Sequence, residues 1–352
     1  MPLHESVEPR RLVELVFEGA EPPRAPLHIE SDDKRFEAAM SDLVGAGAKI
    51  SEWRGFYTRG GPFHRRRGES LGEWLDRVKA SEYAWPELSR VVEEAVSSFR
   101  ERIKQVEKEG RFLVFKVLGP TETAESFFTG PQSARAVRLG QIAHRFDFGA
   151  FYALRRREAL EIYERVASYV LELIKAGAEL DEVDAVRVAD DAATYTGPIY
   201  PSSFYEEAYL PWHRRFASAI RRAGKYAILH CDGDIRKGGL LRRLSALYDG
   251  LHPLDIAPKS TLDEAMKWVQ ELCELRRESG EVVFFTGIPV ELVFNDTVPV
   301  EQFLKVPTTL LEMHGKRYLV LATTHSEYPS RSYEEYLPRL KVSAVRKTVG
   351  RP

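Results

Sequence analysis

Short apolar runs alternate with long amphipathic segments from about residue 110 to the end of the chain. Each run is almost continuously apolar, as in strands of a parallel sheet that helices cover on both faces. The segments between the runs have helical periodicity, for example at Tyr163, Val166, Val170 and Ile174. The alternation predicts repeated strand–helix units and therefore an α/β fold. The runs occupy residues 112–119, 185–190, 226–231, 248–254, 282–287 and 317–323, with an earlier candidate strand at 25–30.

Six such units and one early strand come close to the eight units of a TIM barrel. We therefore predict an α/β fold of the TIM (β/α)8 barrel type, with residues 1–352 forming a single barrel domain. A doubly wound open sheet is the alternative, but no GxGxxG follows any strand, which weakens its dinucleotide-binding version. Residues 45–90 are irregular and rich in Gly, Arg and Trp, so we expect an N-terminal elaboration there, over the barrel mouth.

Composition limits the classes of function. The chain is 43% hydrophobic and 30% charged, as in soluble globular proteins. Its formal net charge of −2 provides no positive field for nucleic acid. No apolar run approaches the roughly 20 residues of a membrane span, and no signal-peptide core is present near the N-terminus. We expect a cytoplasmic protein with a small-molecule substrate and no nucleic-acid or membrane partner; a homodimer is one open arrangement.

Polar residues collect where the apolar runs end. In a TIM barrel the C-terminal ends of the strands form the active face, so these residues are the first candidates for function. The candidates are Asp190, Asp191, His230, Asp232, His252, Asp255, Thr286 and His325.

The stretch YAILHCDGD, residues 226–234, suggests a metal site. Side chains alternate along a strand, so His230 and Asp232 share one face while Cys231 points to the other. Imidazole nitrogen and carboxylate oxygen are both zinc ligands. His325, on the last strand, would complete a three-ligand site with an open position for substrate. The alternative is a histidine that is hydrogen-bonded to its neighbours and binds no metal.

An arginine-rich stretch, WRGFYTRGGPFHRRRGES, covers residues 53–70 and contains Arg54 and Arg65. Guanidinium groups bind carboxylates and phosphates in a two-pronged geometry. The stretch could therefore form a lid for an anionic substrate. A solvated loop without a ligand is the alternative, and the sequence slightly favours it.

Three stretches in the region from Val183 to Leu254, the last of which ends one residue later, match the motifs of a known protein family in order and spacing. They read VRVADDAATYTGPIYPSSFYEEAYLPWHRRF, AGKYAILHCDGD and LYDGLHPLD. In order and spacing they resemble the uroporphyrinogen decarboxylase superfamily. SEWRGFY, YAWPEL and FLVFKVLGPTETAESFFTG agree more weakly, so the resemblance extends over about residues 50–255 and loosely over the whole chain. It implies a TIM barrel, in agreement with the strand pattern.

The superfamily contains porphyrinogen decarboxylases and zinc-dependent methyltransferases that move methyl groups from corrinoid proteins to thiols. The decarboxylases carry Arg-Gln-Ala-Gly-Arg after the first strand, where this chain reads HIESDDKRF, which argues against a porphyrin enzyme. The methyltransferases hold zinc through the His and Cys of His-x-Cys-Gly and a later Cys. Here His230 matches, Asp232 replaces the first Cys, and His325 falls roughly where the second would be, which implies a harder metal site.

The leading hypothesis from the resemblance is a metal-dependent methyltransferase. A divalent metal, zinc in first place, would be bound by His230, Asp232 and His325. The donor would be a methyl-corrinoid, with a corrinoid protein as partner, or a methoxylated compound, and the acceptor a thiol. A carboxy-lyase acting on uroporphyrinogen or a related carboxylated substrate is the second hypothesis, and a non-catalytic barrel that binds a corrinoid or tetrapyrrole is the third. The catalytic candidates are Asp190 and Asp191, and the substrate-binding candidates are Arg54, Arg65, His252, Asp255 and Thr286.

Overall fold

The computed structural model describes residues 7–104, 106, 110–138, 147–327 and 331–349. Its strands are β1 (Leu27–His28), β2 (Leu43–Ala48), β3 (Phe112–Leu118), β4 (Ala185–Ala189), β5 (Ala193–Thr194), β6 (Gly197–Pro198), β7 (Tyr226–Cys231), β8 (Gly250–Pro253), β9 (Val283–Ile288) and β10 (Leu319–Thr323). Its helices are α1 (Pro9–Phe17), α2 (Lys34–Met40), α3 (Phe56–Arg59), α4 (Leu71–Arg77), α5 (Leu88–Ile103), α6 (Pro120–Phe128), α7 (Ala134–Arg138), α8 (Asp147–Leu154), α9 (Arg156–Ala178), α10 (Ser202–Phe204), α11 (Leu210–Arg222), α12 (Leu240–Ser245), α13 (Leu262–Glu278), α14 (Val290–Val293), α15 (Val300–His314) and α16 (Tyr336–Val349).

Eight of the strands in the described residues form one parallel sheet. Their spatial order is β1-β10-β9-β8-β7-β4-β3-β2. The edge strands β1 and β2 meet where the Asp42 backbone N–H donates to the Leu27 carbonyl oxygen at 2.8 Å, so the sheet nearly closes on itself. Strands β5 and β6 form a short antiparallel hairpin after β4. The predicted α/β TIM barrel is confirmed.

Seven of the barrel strands coincide with the apolar runs in the sequence, and the eighth, β2, does not. Strand β2 reads LVGAGA, and its glycines lower its strand propensity. Residues 45–48 therefore belong to the barrel, and the irregular segment predicted at 45–90 begins after them. A Cβ at Gly45 would lie 2.0 Å from the Cε of Lys116, so any larger residue there would displace the Lys116 side chain.

The end of the barrel at the strand N-termini is apolar. Helix α1 packs against β2, β3 and β10 there, and contributes the buried Val13 and Val16. Because this end is filled by apolar side chains, polar chemistry is left to the opposite end, as in other TIM barrels. The strand residues in this cluster are Leu43, Phe112, Val114, Ala185, Ile228, Val283, Phe285, Val320 and Ala322.

Aromatic packing attaches the irregular segment after β2 to helix α6. The ring centroids of Trp53 and Phe56 each lie 5.1 Å from that of Phe127. The Trp53 indole N–H also donates to the Tyr83 hydroxyl at 2.7 Å. These contacts hold the segment beside the C-terminal ends of β2 and β3. In the described part of the chain, no helix combines the length and apolar character that crossing a membrane requires.

Candidate active site

A cavity of about 280 Å³ lies at the C-terminal ends of the barrel strands. Its walls carry acidic groups, basic groups and histidines, and charged side chains of this kind are uncommon in protein interiors. Lining residues that bear on its chemistry are Glu30, Lys116, Glu122, Arg187, Asp191 and His230.

Three ligand-type side chains meet beside this cavity, and two of them, Asp191 and His230, line it. His230 is the last residue of β7 whose side chain faces the barrel interior. Asp191 lies shortly after β4, and Asp232 directly follows β7. The Nε2 atom of His230 lies 3.7 Å from an oxygen of Asp232 and 4.0 Å from an oxygen of Asp191. One ligand atom from each residue lies within 4.8 Å of the others. We call these three residues the triad.

The hydrogen bonds of His252 determine which nitrogen of His230 carries a proton. His252 Nε2 lies 3.0 Å from the carbonyl oxygen of Thr323, which can only accept, so His252 is protonated at Nε2. Its Nδ1 is therefore an acceptor in the neutral ring, and it lies 2.6 Å from Nδ1 of His230. His230 must donate from Nδ1, which leaves the Nε2 lone pair directed at the two triad carboxylates.

The pKa shifts in the triad follow from this crowding. Burial, followed by the positive charge of Arg187, lowers the pKa of His230 well below its usual value. Burial raises the pKa of Asp191 to about 6. Burial and then the charge of Asp191 raise the pKa of Asp232 well above its usual value. One buried Asp232 oxygen also has no hydrogen-bond partner in the described part of the chain. A lone pair and two carboxylates in this arrangement favour a shared cation.

The backbone positions Asp191 next to Asp232, and Glu122 extends the acidic group. The Asp232 backbone N–H donates to a carboxylate oxygen of Asp191 at 2.8 Å. Glu122, on the first turn of α6, also lines the cavity. Burial and then the charge of Asp191 raise the pKa of Glu122 well above its usual value. Glu122 is therefore a candidate proton donor beside the triad.

Asp190 points away from the cavity. Its side chain is fully buried, and its carboxylate accepts hydrogen bonds from the Thr121 backbone N–H at 2.8 Å and from the Thr121 hydroxyl at 2.9 Å. His213 Nε2 lies 3.0 Å from the same carboxylate. Asp190 therefore anchors the start of α6, and the structure does not place it where it would contact a substrate in the cavity. Of the two predicted catalytic acids, only Asp191 lines the cavity.

The other predicted site residues lie at different places. His325 lines the cavity, with its ring centroid 6.2 Å from that of His230, but it is outside the triad. Asp255 accepts from the Tyr195 hydroxyl at 3.1 Å and pairs with the buried Lys259. Thr286 is buried on the outward face of β9, between Phe284 and Ile288, so its side chain does not face the barrel interior.

The two predicted arginines are separated. Arg54 lines a second cavity of about 410 Å³, which adjoins the first. Arg65 is exposed, and its Nε donates to the backbone oxygen of Glu69 at 3.0 Å. Of this pair, Arg54 lines one of these two cavities and Arg65 lines neither.

A buried ionic cluster forms the floor of the cavity, and sequence reasoning missed it. Lys116 and Arg187 are register neighbours on β3 and β4. The Glu30 carboxylate lies 2.7 Å from the Lys116 ammonium and accepts two hydrogen bonds from Arg187, at 2.7 and 2.8 Å. Burial opposes ionisation of Glu30, but these two cations hold its pKa well below its usual value. The sequence did contain a signal for this cluster, because a charged residue interrupts each of two apolar strands, Lys116 in β3 and Arg187 in β4.

The geometry defines a TIM barrel with a histidine–carboxylate group at its mouth. No family model matches the sequence, and no curated protein matches it. Among solved structures, a methyltransferase from Methanosarcina mazei has a TM-score of 0.57 and 13% identity over 97% of this chain and 99% of that chain. An endo-1,4-β-mannanase from Thermotoga petrophila has a TM-score of 0.46 and 16% identity over 93% of this chain and 99% of that one. A B12-independent methionine synthase from Shewanella sp. W3-18-1 has a TM-score of 0.44 and 15% identity, over 72% and 66%. At such identities the likeness extends to the fold alone.

Proposed function

We propose that this protein is a metal-dependent enzyme of the methyltransferase type, with Asp191, His230 and Asp232 as its metal ligands. The observation that carries the proposal is the unprotonated Nε2 of His230, directed at two carboxylates in a buried site. The resemblance in the sequence between Val183 and Leu254 supports methyl transfer as the reaction class.

The donor set fits a divalent metal. Zinc bonds imidazole nitrogen and carboxylate oxygen at roughly 2.0–2.2 Å, so atoms 3.7 and 4.0 Å apart can reach one ion. The partnerless oxygen of Asp232 would gain a partner. Two oxygens and one nitrogen form a harder site than thiolates do, so manganese or iron are competitors for zinc. When bound, such an ion lowers the pKa of a coordinated thiol or water and so makes it a nucleophile.

The chain itself contributes orientation and a proton reservoir. His252 fixes the ring of His230 and its tautomer, and the Asp232 backbone N–H fixes the Asp191 carboxylate. The cavity of about 280 Å³ has room for a small acceptor. Glu122, whose pKa is raised by burial and then by the charge of Asp191, also lines the cavity and can donate a proton to a leaving group.

Metal analysis of the purified protein tests the ligand set. We expect about one divalent ion per chain by inductively coupled plasma mass spectrometry, and loss of that ion in His230→Ala and Asp232→Asn. His314→Ala is the matched control, because His314 lies at the end of α15 and outside the triad. Equal metal content in His230→Ala and in the unaltered protein would overturn the ligand assignment.

The reaction is tested with methylcobalamin as donor and 2-mercaptoethanol as acceptor. The methyl group would pass from cobalt to sulfur, the cobalt would keep the bonding electron pair, and the thiol proton would leave to solvent. We expect faster loss of methylcobalamin absorbance with the metal-loaded protein than with Asp232→Asn. If the protein binds the metal but transfers no methyl group to the thiol, the proposal of a metal site stands and the proposed reaction is overturned.

Decarboxylation of a carboxylated substrate is the second candidate function. It is favoured by the cations on the cavity walls, Lys49 and Arg102 among them, which suit a substrate carboxylate. Release of carbon dioxide from uroporphyrinogen by the chelator-treated protein would establish it in place of methyl transfer. A tetrapyrrole-binding barrel without catalysis would give a visible absorbance band from the protein as isolated and neither reaction.

A further inference from the structure

A second cavity of about 410 Å³ adjoins the triad cavity. The two share the end of β2 and the end of β3 as a common wall, including Ala48 and Leu118. We call the cavity that holds the triad the first cavity and this neighbour the second cavity. A transfer reaction needs two reactants side by side, and two cavities with a common wall provide that arrangement.

The wall of the second cavity is mainly apolar and aromatic. Buried side chains of Ile50, Trp53, Val170 and Leu173 line it. Tyr57 lines it too, and its hydroxyl has no hydrogen-bond partner in the described residues. Burial raises the pKa of Tyr57, so the phenol stays neutral. Such a wall suits a ring or another apolar body, with the phenol as a polar contact.

Cations without counter-ions stand at the edge of this apolar wall. Lys49 and Arg102 line both cavities, and Arg54 lines the second. These three exposed side chains form neither an ion pair nor a side-chain hydrogen bond within the described part of the chain. By contrast, Lys116 and Arg187 on the floor of the first cavity both form an ion pair with Glu30. The free positive charge is therefore concentrated where the two cavities meet.

From this arrangement we infer that the second cavity binds a small carboxylate with an aromatic or other apolar body. Its carboxylate lies against Lys49 and Arg102, and its apolar part lies against Trp53 and Tyr57. Only the role of this ligand as the second reactant rests on the proposed function. Its binding depends on neither the triad nor a metal ion.

Isothermal titration calorimetry with three probes tests the ligand class. The protein is treated with chelator, so that metal binding cannot affect the result. We expect 4-ethylbenzoate to bind at least about tenfold more tightly than 4-ethylbenzamide, which lacks the charge, and than propionate, which lacks the ring. Equal binding of the benzoate and the benzamide, or no binding of the benzoate, would overturn the inference.

Variants at Arg102 and Lys49 test the anion contact. Arg102→Gln removes a cation at the junction, and we expect about three- to fivefold weaker binding of 4-ethylbenzoate, the size of an exposed charge pair. Lys49→Gln should act similarly, and the double variant should lose about tenfold. Arg90→Gln is the matched control, because Arg90 is exposed on the same helix α5 and lies away from the second cavity. The inference fails if Arg102→Gln and Arg90→Gln have the same affinity.

The two proposals can fail separately. Benzoate binding by a protein that holds no metal would retain the second cavity as a ligand site and overturn the triad as a metal centre. A protein that holds one metal ion and binds no benzoate would do the reverse.

Discussion

At the scale of single residues, the site depends on the position of one proton. His252 donates to the Thr323 carbonyl oxygen and so presents an acceptor to His230. If His252 could not accept, His230 would be free to place its proton on Nε2, and the lone pair facing Asp191 and Asp232 would be lost. A residue outside the triad thereby controls the nitrogen that we propose as a metal ligand.

We predict that His252→Phe retains the fold and weakens metal binding about 10- to 100-fold, the usual cost of removing a partner that orients a ligand. Phenylalanine preserves the ring shape but offers no acceptor to His230. Competition with a chromophoric chelator measures the affinity. His314→Phe serves as the control, and equal affinities in the two variants would contradict this role of His252.

The ionic floor of the cavity gives a second prediction at this scale. Glu30→Gln leaves Lys116 and Arg187 buried without their counter-charge, which should lower the free energy of unfolding by about 3–5 kcal/mol. Urea denaturation measures the change. In comparison, Glu206→Gln removes an exposed partner of Arg243 and should have little effect. Similar losses in both variants would show that Glu30 acts as a surface carboxylate does.

At the scale of elements, one arrangement recurs at the N-terminal end of the barrel. An aspartate stands just before β2, β4 and β8, at Asp42, Asp184 and Asp249. Each carboxylate accepts the backbone N–H of a residue on the preceding strand of the sheet at 2.8 Å. Each backbone carbonyl also accepts from the first residues of the following strand. Each of these aspartates therefore links its own strand to the strands on both sides, through its carboxylate on one side and its backbone carbonyl on the other.

We predict that Asp42→Ala lowers the free energy of unfolding by about 1–3 kcal/mol, because the buried Leu27 N–H loses its acceptor. Arg24 also loses the carboxylate with which it pairs. Urea denaturation measures the loss, and metal content should stay unchanged because the triad lies at the other end of the barrel. The exposed Asp181→Ala is the control, with an expected change within about 0.5 kcal/mol. Loss of metal in a folded Asp42→Ala protein would contradict this separation of the two ends.

The same scale explains which elements the sequence could predict. The apolar, β-branched runs predicted seven strands, because burial on both faces leaves a strong composition signal. Strand β2 carries glycines in place of that signal, since the space in front of Gly45 is filled by Lys116 from β3. The requirement comes from a residue far away in the sequence, so local propensity could not reveal it.

At the scale of the whole molecule, stability should depend on pH through Glu125. This carboxyl accepts hydrogen bonds from the Tyr200 hydroxyl and, at 3.3 Å, from the Phe148 N–H, and Asp147 adds negative charge nearby. Burial raises its pKa to about 7 from a usual value of 4.5. The folded state therefore holds a proton there that the unfolded chain releases at lower pH. This contribution is complete below about pH 4.5 and is lost as the pH rises through 7.

We predict that Glu125→Gln removes this pH-dependent loss of stability. Between pH 5 and pH 8 the free energy of unfolding of the variant should rise by about 1–3 kcal/mol relative to that of the unaltered protein. Urea denaturation of both proteins at several pH values measures the difference. Glu206→Gln is the control, because Arg243 lowers the pKa of Glu206 and the raised-pKa effect is absent there. A difference that does not change with pH would show that Glu125 ionises normally in the folded protein.

The sequence by itself determined the strand–helix alternation, the barrel and the common face of His230 and Asp232, because these follow from burial and from the two-residue period of a strand. Only the tertiary structure decided which residues on other strands join them. Asp191 enters the triad while the adjacent Asp190 turns toward α6, and Lys116, Arg187 and Glu30 meet beneath them. Distances between strands depend on sheet register and on the course of the loops, and neither is encoded in the order of neighbouring residues.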